Sequence, residues 1–287
     1  MAADSARSII LSIITPVFNG RKYINQCIEN VAGQFFPGLE HLIMDGGSSD
    51  GTPEEVRSLM NKYSHIRLIS EPDNGQSDGM NKGIRCAKGS ILGFLNVDDY
   101  YEPDVLPRIP ELFSGLSEPS FVCGNLNIWN PDGTLKHFNR PVHLSLFELL
   151  SNRFEWPYNP SAYFYHKSLH DLTGAYNESN HYCMDYEFIL EAAQHIPLRH
   201  IDELWGNFCQ VSESKTLNRF SNSHDEAVKQ AEDLRKRIII NLRLFENPEW
   251  NSFIASRGEF KNSTEKKGWI QKFLRKYRAL FSNKYLN

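Results

Sequence analysis

The order of apolar and polar positions changes character about a third of the way along the chain. Over the first hundred residues short apolar runs alternate with stretches of helical period. "SIILSIITP" predicts a strand over 8–14, stopped by Pro16, and a helical pattern follows over 22–33. "LEHLIMD" predicts a second strand ending at Asp45. The turn cluster "GGSSDGT" then hands over to a helix with Thr52 as N-cap, Pro53 at the first helical position and Glu55 completing a capping box. "IRLIS" predicts a third strand over 66–70, the loop "EPDNGQSD" follows, and a helix runs over 79–87. "SILGFLN" is a fourth strand. Strands alternating with helices predict an α/β protein with a mostly parallel sheet flanked by helices.

Beyond residue 105 the pattern is less regular. "FVCGNLNIW" and "SAYFYH" predict strands, "NPDG" a turn, "YCMDYEFILEAAQH" a helix around Asp185, and 227–245 a long helix. We expect one domain over 1–220, its halves meeting near residue 104, and a helical C-terminal extension over 221–287.

In open α/β sheets, ligands bind outside the carboxyl ends of the strands. Those ends carry Thr15–Asn19, Asp45, Asp73–Asp78 and Asn96–Asp99, so four polar clusters fall on one edge. The adjacent carboxylates Asp98 and Asp99 close an apolar strand, where two like charges are costly. Hard cations such as Mg²⁺ or Mn²⁺ take one or two carboxylates plus substrate phosphates, and this pair suits that role. The plainer alternative is capping of the helix begun by "EPDVL". Asp45 could accept hydrogen bonds from a ribose or base, or simply start an Asx turn; Asp78 and Asp185 could each cap a helix. Lys82 and Arg85 could reach phosphate, or be solvated helix residues.

Composition narrows the chemistry by exclusion. The 287 residues are 40% hydrophobic and 23% charged, with a net charge of −4, so no nucleic-acid partner is expected. Five separated cysteines with no C-x-x-C pair argue against disulfide or metal-cluster scaffolds. There is no G-x-G-x-x-G after the first strand, no G-x-x-x-x-G-K-[ST] and no H-E-x-x-H. A diphosphate would therefore need another partner, for which a divalent metal is the natural choice. "MAADSARS" has no signal-peptide core and no stretch reaches the ~18 apolar residues of a membrane span, so a cytoplasmic protein is expected.

The ordered segments "SIITPVFNG", "LIMDGGSSDGT", "EPDNGQSDGMNKGIRCAKG", "ILGFLNVDDYYEPD" and "CMDYEFILEA" resemble family 2 glycosyltransferases. The resemblance is dense over 11–104, thinner to about 216 and absent beyond. It implies a GT-A-like, Rossmann-type fold and inverting transfer of a sugar from a nucleotide-diphosphate donor, a UDP-sugar above all. The acceptor would be a saccharide or lipid-linked hydroxyl in polysaccharide or glycolipid assembly. By the same resemblance Thr15, Pro16 and Asn19 would line the nucleotide pocket, Asp45 would meet the base, and Asp78 would lie near uridine and ribose. Asn96 takes the first place of the family's D-x-D-D segment and would contact the nucleotide-sugar. Asp98 would hold Mn²⁺ or Mg²⁺ with Asp99 beside it, and Asp185 would be the base. Met184 stands where the family has the Glu of a Glu-Asp motif. "GNFCQVSESKT" lacks the histidine many relatives carry there.

Trp156 and Tyr158 could stack on an acceptor sugar, or serve as ordinary loop aromatics. Over 264–287 apolar residues recur at helical spacing among lysines and arginines, which suits peripheral contact with the inner face of a membrane or packing on protein. An oligomer is compatible with the pattern. The rival readings are a sugar nucleotidyltransferase, for which "TPVFNGRKY" makes a poor triphosphate loop, and a non-catalytic nucleotide-sugar-binding protein.

Overall fold

The computed structural model describes residues 9–211 and 223–256. In chain order the elements are β1 (Leu11–Val17), α1 (Arg21–Ala32), β2 (Leu39–Asp45), α2 (Thr52–Met60), β3 (Ile66–Ser70), α3 (Gln76–Cys86), β4 (Ile91–Phe94) and β5 (Tyr100–Tyr101). There follow α4 (Ile109–Ser114), β6 (Phe121–Trp129), β7 (Leu135–Asn139), α5 (Leu146–Ser151), β8 (Tyr163–His166), α6 (His170–Thr173), α7 (Met184–His195), β9 (Leu198–Cys209), α8 (Ser223–Asn241) and α9 (Pro248–Ser256). The chain divides into two compact units, Met1–Ala231 and Glu232–Asn287. In the described part of the second, Leu234, Ile238, Leu244, Trp250 and Ile254 are buried. The basic-apolar segment 264–287 lies outside the described residues.

One sheet organises the first unit, in the order β3-β2-β1-β4-β8-β6-β9-β5, with β7 on β6. From β3 to β4 every pairing is parallel, as the alternation of strands and helices predicts. Beyond β4 the sheet turns mixed: β8 is antiparallel to both β4 and β6, and β6 is parallel to β9. Successive residues of a strand face opposite sides, and both sides are covered here. Ile13 packs with Cys27 and Val31 of α1, and Ile43 with Ile24 of α1 and Val56 of α2. Ile14 and Met44 face α3, which comes so close that a Cβ on Gly83 would lie 2.4 Å from Ile14 Cγ2. No helix of the described residues is long and apolar enough to cross a membrane.

Several boundaries differ from the sequence reading. β1 continues through Pro16 to Val17 because β4 pairs with it only as far as Ile14, and beyond that a residue lacking an N–H costs little. Gly51, with φ 93°, occupies the N-cap of α2 in place of Thr52. Thr52 Oγ1 instead donates to Asp50 (2.6 Å) and accepts from the Gly20 amide (3.0 Å), tying α2 to the loop after β1. α3 begins at Gln76, three residues ahead of Gly79, on Gly75 at φ 118°. Asp78 and Asp185 therefore sit inside the first turns of α3 and α7, and neither is a cap.

Candidate functional site

The strand ends converge on the first turn of α3. The Asp73 carboxylate packs against Gly46 and Gly79, where a Cβ would lie 2.5 and 3.2 Å from its Oδ2, and Gly79 also faces the Pro16 ring. Gln76 Nε2 donates to Asn96 Oδ1 at 3.0 Å, and Ser77 Oγ donates to Met184 Sδ at 2.8 Å. One helical turn thus connects the ends of β1, β2 and β4 with the start of α7, the element that carries Asp185.

Not every candidate residue is available at that rim. Thr15 has no exposed surface; its hydroxyl lies 2.9 Å from His41 Nε2 inside the core. Burial also holds the His41 imidazole neutral, pushing its pKa down to about 3. Pro16 is half-buried and Asn19 exposed at the tip, with φ 51° and its side-chain oxygen accepting the Ser49 amide. Asp45 is 2% exposed and accepts from the Gly47 and Ser48 amides and the Ser70 hydroxyl, so its carboxylate is spent on its own turn. Asp78 accepts the Asn74 amide (3.0 Å) and pairs with Lys82 (3.4 Å), while Lys82 also binds the Pro72 carbonyl and Glu71. Lys82 is thereby committed within the protein.

The two acids after β4 play different parts. Asp99 is buried, and three N–H donors fill its oxygens: Asn159 Nδ2 at 2.8 Å, Asn96 Nδ2 at 2.9 Å and the Cys209 amide at 2.9 Å. It is a hub that joins β4, the loop before β8 and the end of β9, and with three donors already on it Asp99 is more engaged than Asp98. Asn96 fits that hub because its amide donates where a carboxylate would repel. Asp98 is half-buried and, among the described residues, engages no other side chain by hydrogen bond. Burial raises the pKa of both, and the Asp98 charge raises Asp99 further. An added cation would relieve that cost. One free carboxylate of hard oxygen fits a Mg²⁺ or Mn²⁺ that draws its other ligands from substrate phosphate and water. No group of three or more His, Cys, Asp or Glu gathers among the described residues.

A cleft of ≈ 620 Å³ opens beside the Asp99 hub, lined among others by Gln76, Asn96, Trp156, Tyr158, Met184 and Asp185. Trp156 packs edge-on against Tyr158 (5.2 Å) and on Tyr186 (4.8 Å). Asp185 keeps part of its surface open to this cleft, and Tyr163 donates a hydrogen bond to its Oδ1 at 3.0 Å. Dense packing around the carboxyl raises its pKa to about 6, against the opposing pull of that hydrogen bond. Of the nominated residues, Asn96, Trp156, Tyr158 and Asp185 share the cleft; Thr15, Pro16, Asn19, Asp45, Asp78, Asp98 and Asp99 do not line it. Gln76, Asn159 and Tyr163 were not singled out in the sequence. Amides and a strand tyrosine carry no charge pattern, and only their places in "EPDNGQSD", "WPYNP" and "SAYFYH" point to them.

The arrangement offers a strand-end acid for a cation at Asp98 and, in the cleft that Asn96 lines, a second acid beside aromatic surface. Family 2 of the glycosyl transferases is the family whose model matches, over residues 12–177, more than half of the chain. The chain is 25% identical over 256 residues to a chondroitin synthase of Pasteurella multocida, which covers 83% of this chain and 25% of that protein. A hyaluronan synthase of Pasteurella multocida is 27% identical over 213 residues, 69% of this chain and 20% of that one. The chain thus spans about a quarter or less of the length of these two relatives. An uncharacterized glycosyltransferase of Mycobacterium tuberculosis is 32% identical over 187 residues, 64% of this chain and 68% of its own. Among solved structures, Staphylococcus aureus TarS 1-349 in complex with UDP-GlcNAc superposes with a TM-score of 0.62 at 16% identity, covering 94% of this chain and 73% of that one. The Pyrobaculum calidifontis mannosyltransferase PcManGT, in complex with GDP-Man and Mn²⁺, gives 0.52 at 14%, covering 98% and 89%. These likenesses carry the GT-A fold, and with the family match they settle lineage: the chain belongs to glycosyl transferase family 2.

Proposed function

We propose that the protein transfers a sugar, with inversion, from a UDP-sugar to a hydroxyl of a saccharide or lipid-linked acceptor in polysaccharide or glycolipid assembly. The observation that carries the reading is the cleft in which Asp185, with its raised pKa, faces the same space as Asn96 and Trp156. The similarity to chondroitin and hyaluronan synthases supports a polysaccharide setting, and the fold shared with TarS supports a UDP-sugar. Fold alone does not choose a reaction; the side chains at the site must supply it.

In this reading Pro16, Asn19 and the Asp73–Asp78 turn surround the nucleotide, and Asp98 holds Mn²⁺ or Mg²⁺. When bound, the cation neutralises charge on the departing diphosphate. Asp99 takes the supporting part described above, in place of a ligand. Trp156 and Tyr158 offer ring faces to the C–H face of the acceptor sugar. Asp185 accepts the proton of the acceptor hydroxyl as that oxygen attacks the anomeric carbon. A carboxylate with a pKa near 6 is a stronger base than an ordinary aspartate yet is ionised at neutral pH.

The test is release of UDP from UDP-sugars in the presence of Mn²⁺, with and without oligosaccharide acceptors. Slow release, accelerated by an acceptor that gains one sugar, is the expected result. A nucleotide-sugar formed from nucleoside triphosphate and sugar phosphate, or donor binding without any turnover, would overturn the reading.

A further inference from the structure

Asp185 is one end of a series of buried hydroxyls that the transfer reaction does not by itself require. Tyr163 and Tyr165, both without exposed surface on β8, and Tyr176, 3% exposed, direct their phenols toward one another beneath α7. Tyr163 donates to Asp185 Oδ1 at 3.0 Å, and its hydroxyl lies beside that of Tyr176. The Tyr176 and Tyr165 hydroxyls are 3.4 Å apart, and Tyr165 Oη is 3.0 Å from His170 Nε2. His170 Nδ1 in turn bonds the Gly174 carbonyl at 2.8 Å. Phe188 of α7 packs on Tyr165, His170 and Tyr176 and keeps the series dry.

The end group sets the direction. A carbonyl can only accept, so His170 carries its proton on Nδ1, and the neutral ring presents Nε2 as an acceptor. Tyr165 then donates to His170, and its oxygen is free to accept from Tyr176. Tyr163 is left with Asp185 as the acceptor of its proton. Each phenol proton has one assigned place, and burial keeps all three phenols protonated.

We propose that Tyr163, held in the packed row beside Tyr176 and Tyr165, is a positioning residue that fixes the Asp185 carboxylate through the hydrogen bond to its Oδ1. The proposal rests on Asp185 being the base. The other titratable groups around the series are Asp171 and Lys167 beside His170, and His181, Tyr158, Tyr182 and Cys183 on the cleft side of Asp185.

The experiment is the pH profile of kcat for wild type, Tyr163→Phe and Tyr165→Phe, with KM for donor and acceptor measured at each pH. Loss of one hydrogen bond to a charged group should move the acid limb of Tyr163→Phe upward by about one to two pH units. Activity should recover substantially above pH 8, with donor KM unchanged. Tyr165→Phe, which frees the Tyr176 proton to turn to the neighbouring Tyr163 oxygen, should strengthen the donation to Asp185 and move the same limb downward by a smaller amount, and it decides the matter if Tyr163→Phe does not fold. An acid limb that stays in place in the folded variants, or a loss equal at every pH, would overturn the proposal. Full activity in Asp185→Asn would instead overturn the assignment of the base.

Discussion

Asp185→Asn should make the protein more stable while abolishing transfer, and the gain should depend on pH in a definite sense. Packing raises the Asp185 pKa from 3.8 to about 6, so the folded chain holds this proton more tightly than the unfolded chain. Above both values the carboxylate is charged in both states, and the folded state bears the full cost of keeping it so. Two pKa units correspond to about 3 kcal/mol, and the residual opening to the cleft lowers the expectation to about 1–3 kcal/mol. As pH falls through and below 3.8 the group becomes protonated in both states and the cost disappears. The asparagine keeps a carbonyl oxygen for the Tyr163 hydroxyl and carries no charge. Urea midpoints of wild type and variant, followed by tryptophan fluorescence from pH 4 to 8, give the comparison. The variant should be more stable at pH 7.5, with the advantage shrinking as pH falls from about 6 toward 4. A variant no more stable at pH 7.5, or one whose advantage is the same at every pH, would refute the reasoning. Stability withheld at a reactive carboxylate is a familiar trade against activity.

Gly83→Ala should destabilise the fold by about 1–3 kcal/mol, because the new methyl meets Ile14 at 2.4 Å in a packed helix–sheet contact; an unchanged melting temperature would contradict this. Trp156→Ala should raise the acceptor KM by about tenfold, equivalent to 1.4 kcal/mol of lost binding, with donor KM little changed. Steady-state kinetics with each substrate varied would check it, and an effect confined to the donor would place Trp156 on the wrong side of the reaction.

The parallel half of the sheet was legible because its strands are mostly apolar and its turns are punctuated by glycine. The later half hid its longest strand. β9 carries Asn207, wholly buried, whose amide accepts from Trp129 Nε1 at 2.8 Å and donates to Glu102 at 2.8 Å. Buried amides of this kind break the apolar pattern that marks a strand, and β5, two residues long, leaves no pattern at all. At the site, acids at the ends of elements drew notice because unpaired charge at the end of a core strand is costly. The same signal misled at Thr15, a polar residue at a strand end that serves His41 in the core. It also gave Asp98 and Asp99 one role between them, although three N–H donors on Asp99 separate the two. Hydrogen-bond partners such as Asn159 and Gln76 are fixed by tertiary contacts, which spacing along the chain does not record.

The central claim is that a cation held by Asp98 links the protein to the donor's diphosphate, and calorimetric titration of UDP-sugar with and without Mn²⁺ into wild type and Asp98→Asn tests it most directly. Mn²⁺ should tighten donor binding to wild type by about tenfold or more and leave the variant's affinity unchanged, with the two proteins alike when no cation is added. Equal enhancement by Mn²⁺ in both proteins, or none in wild type, would contradict the account.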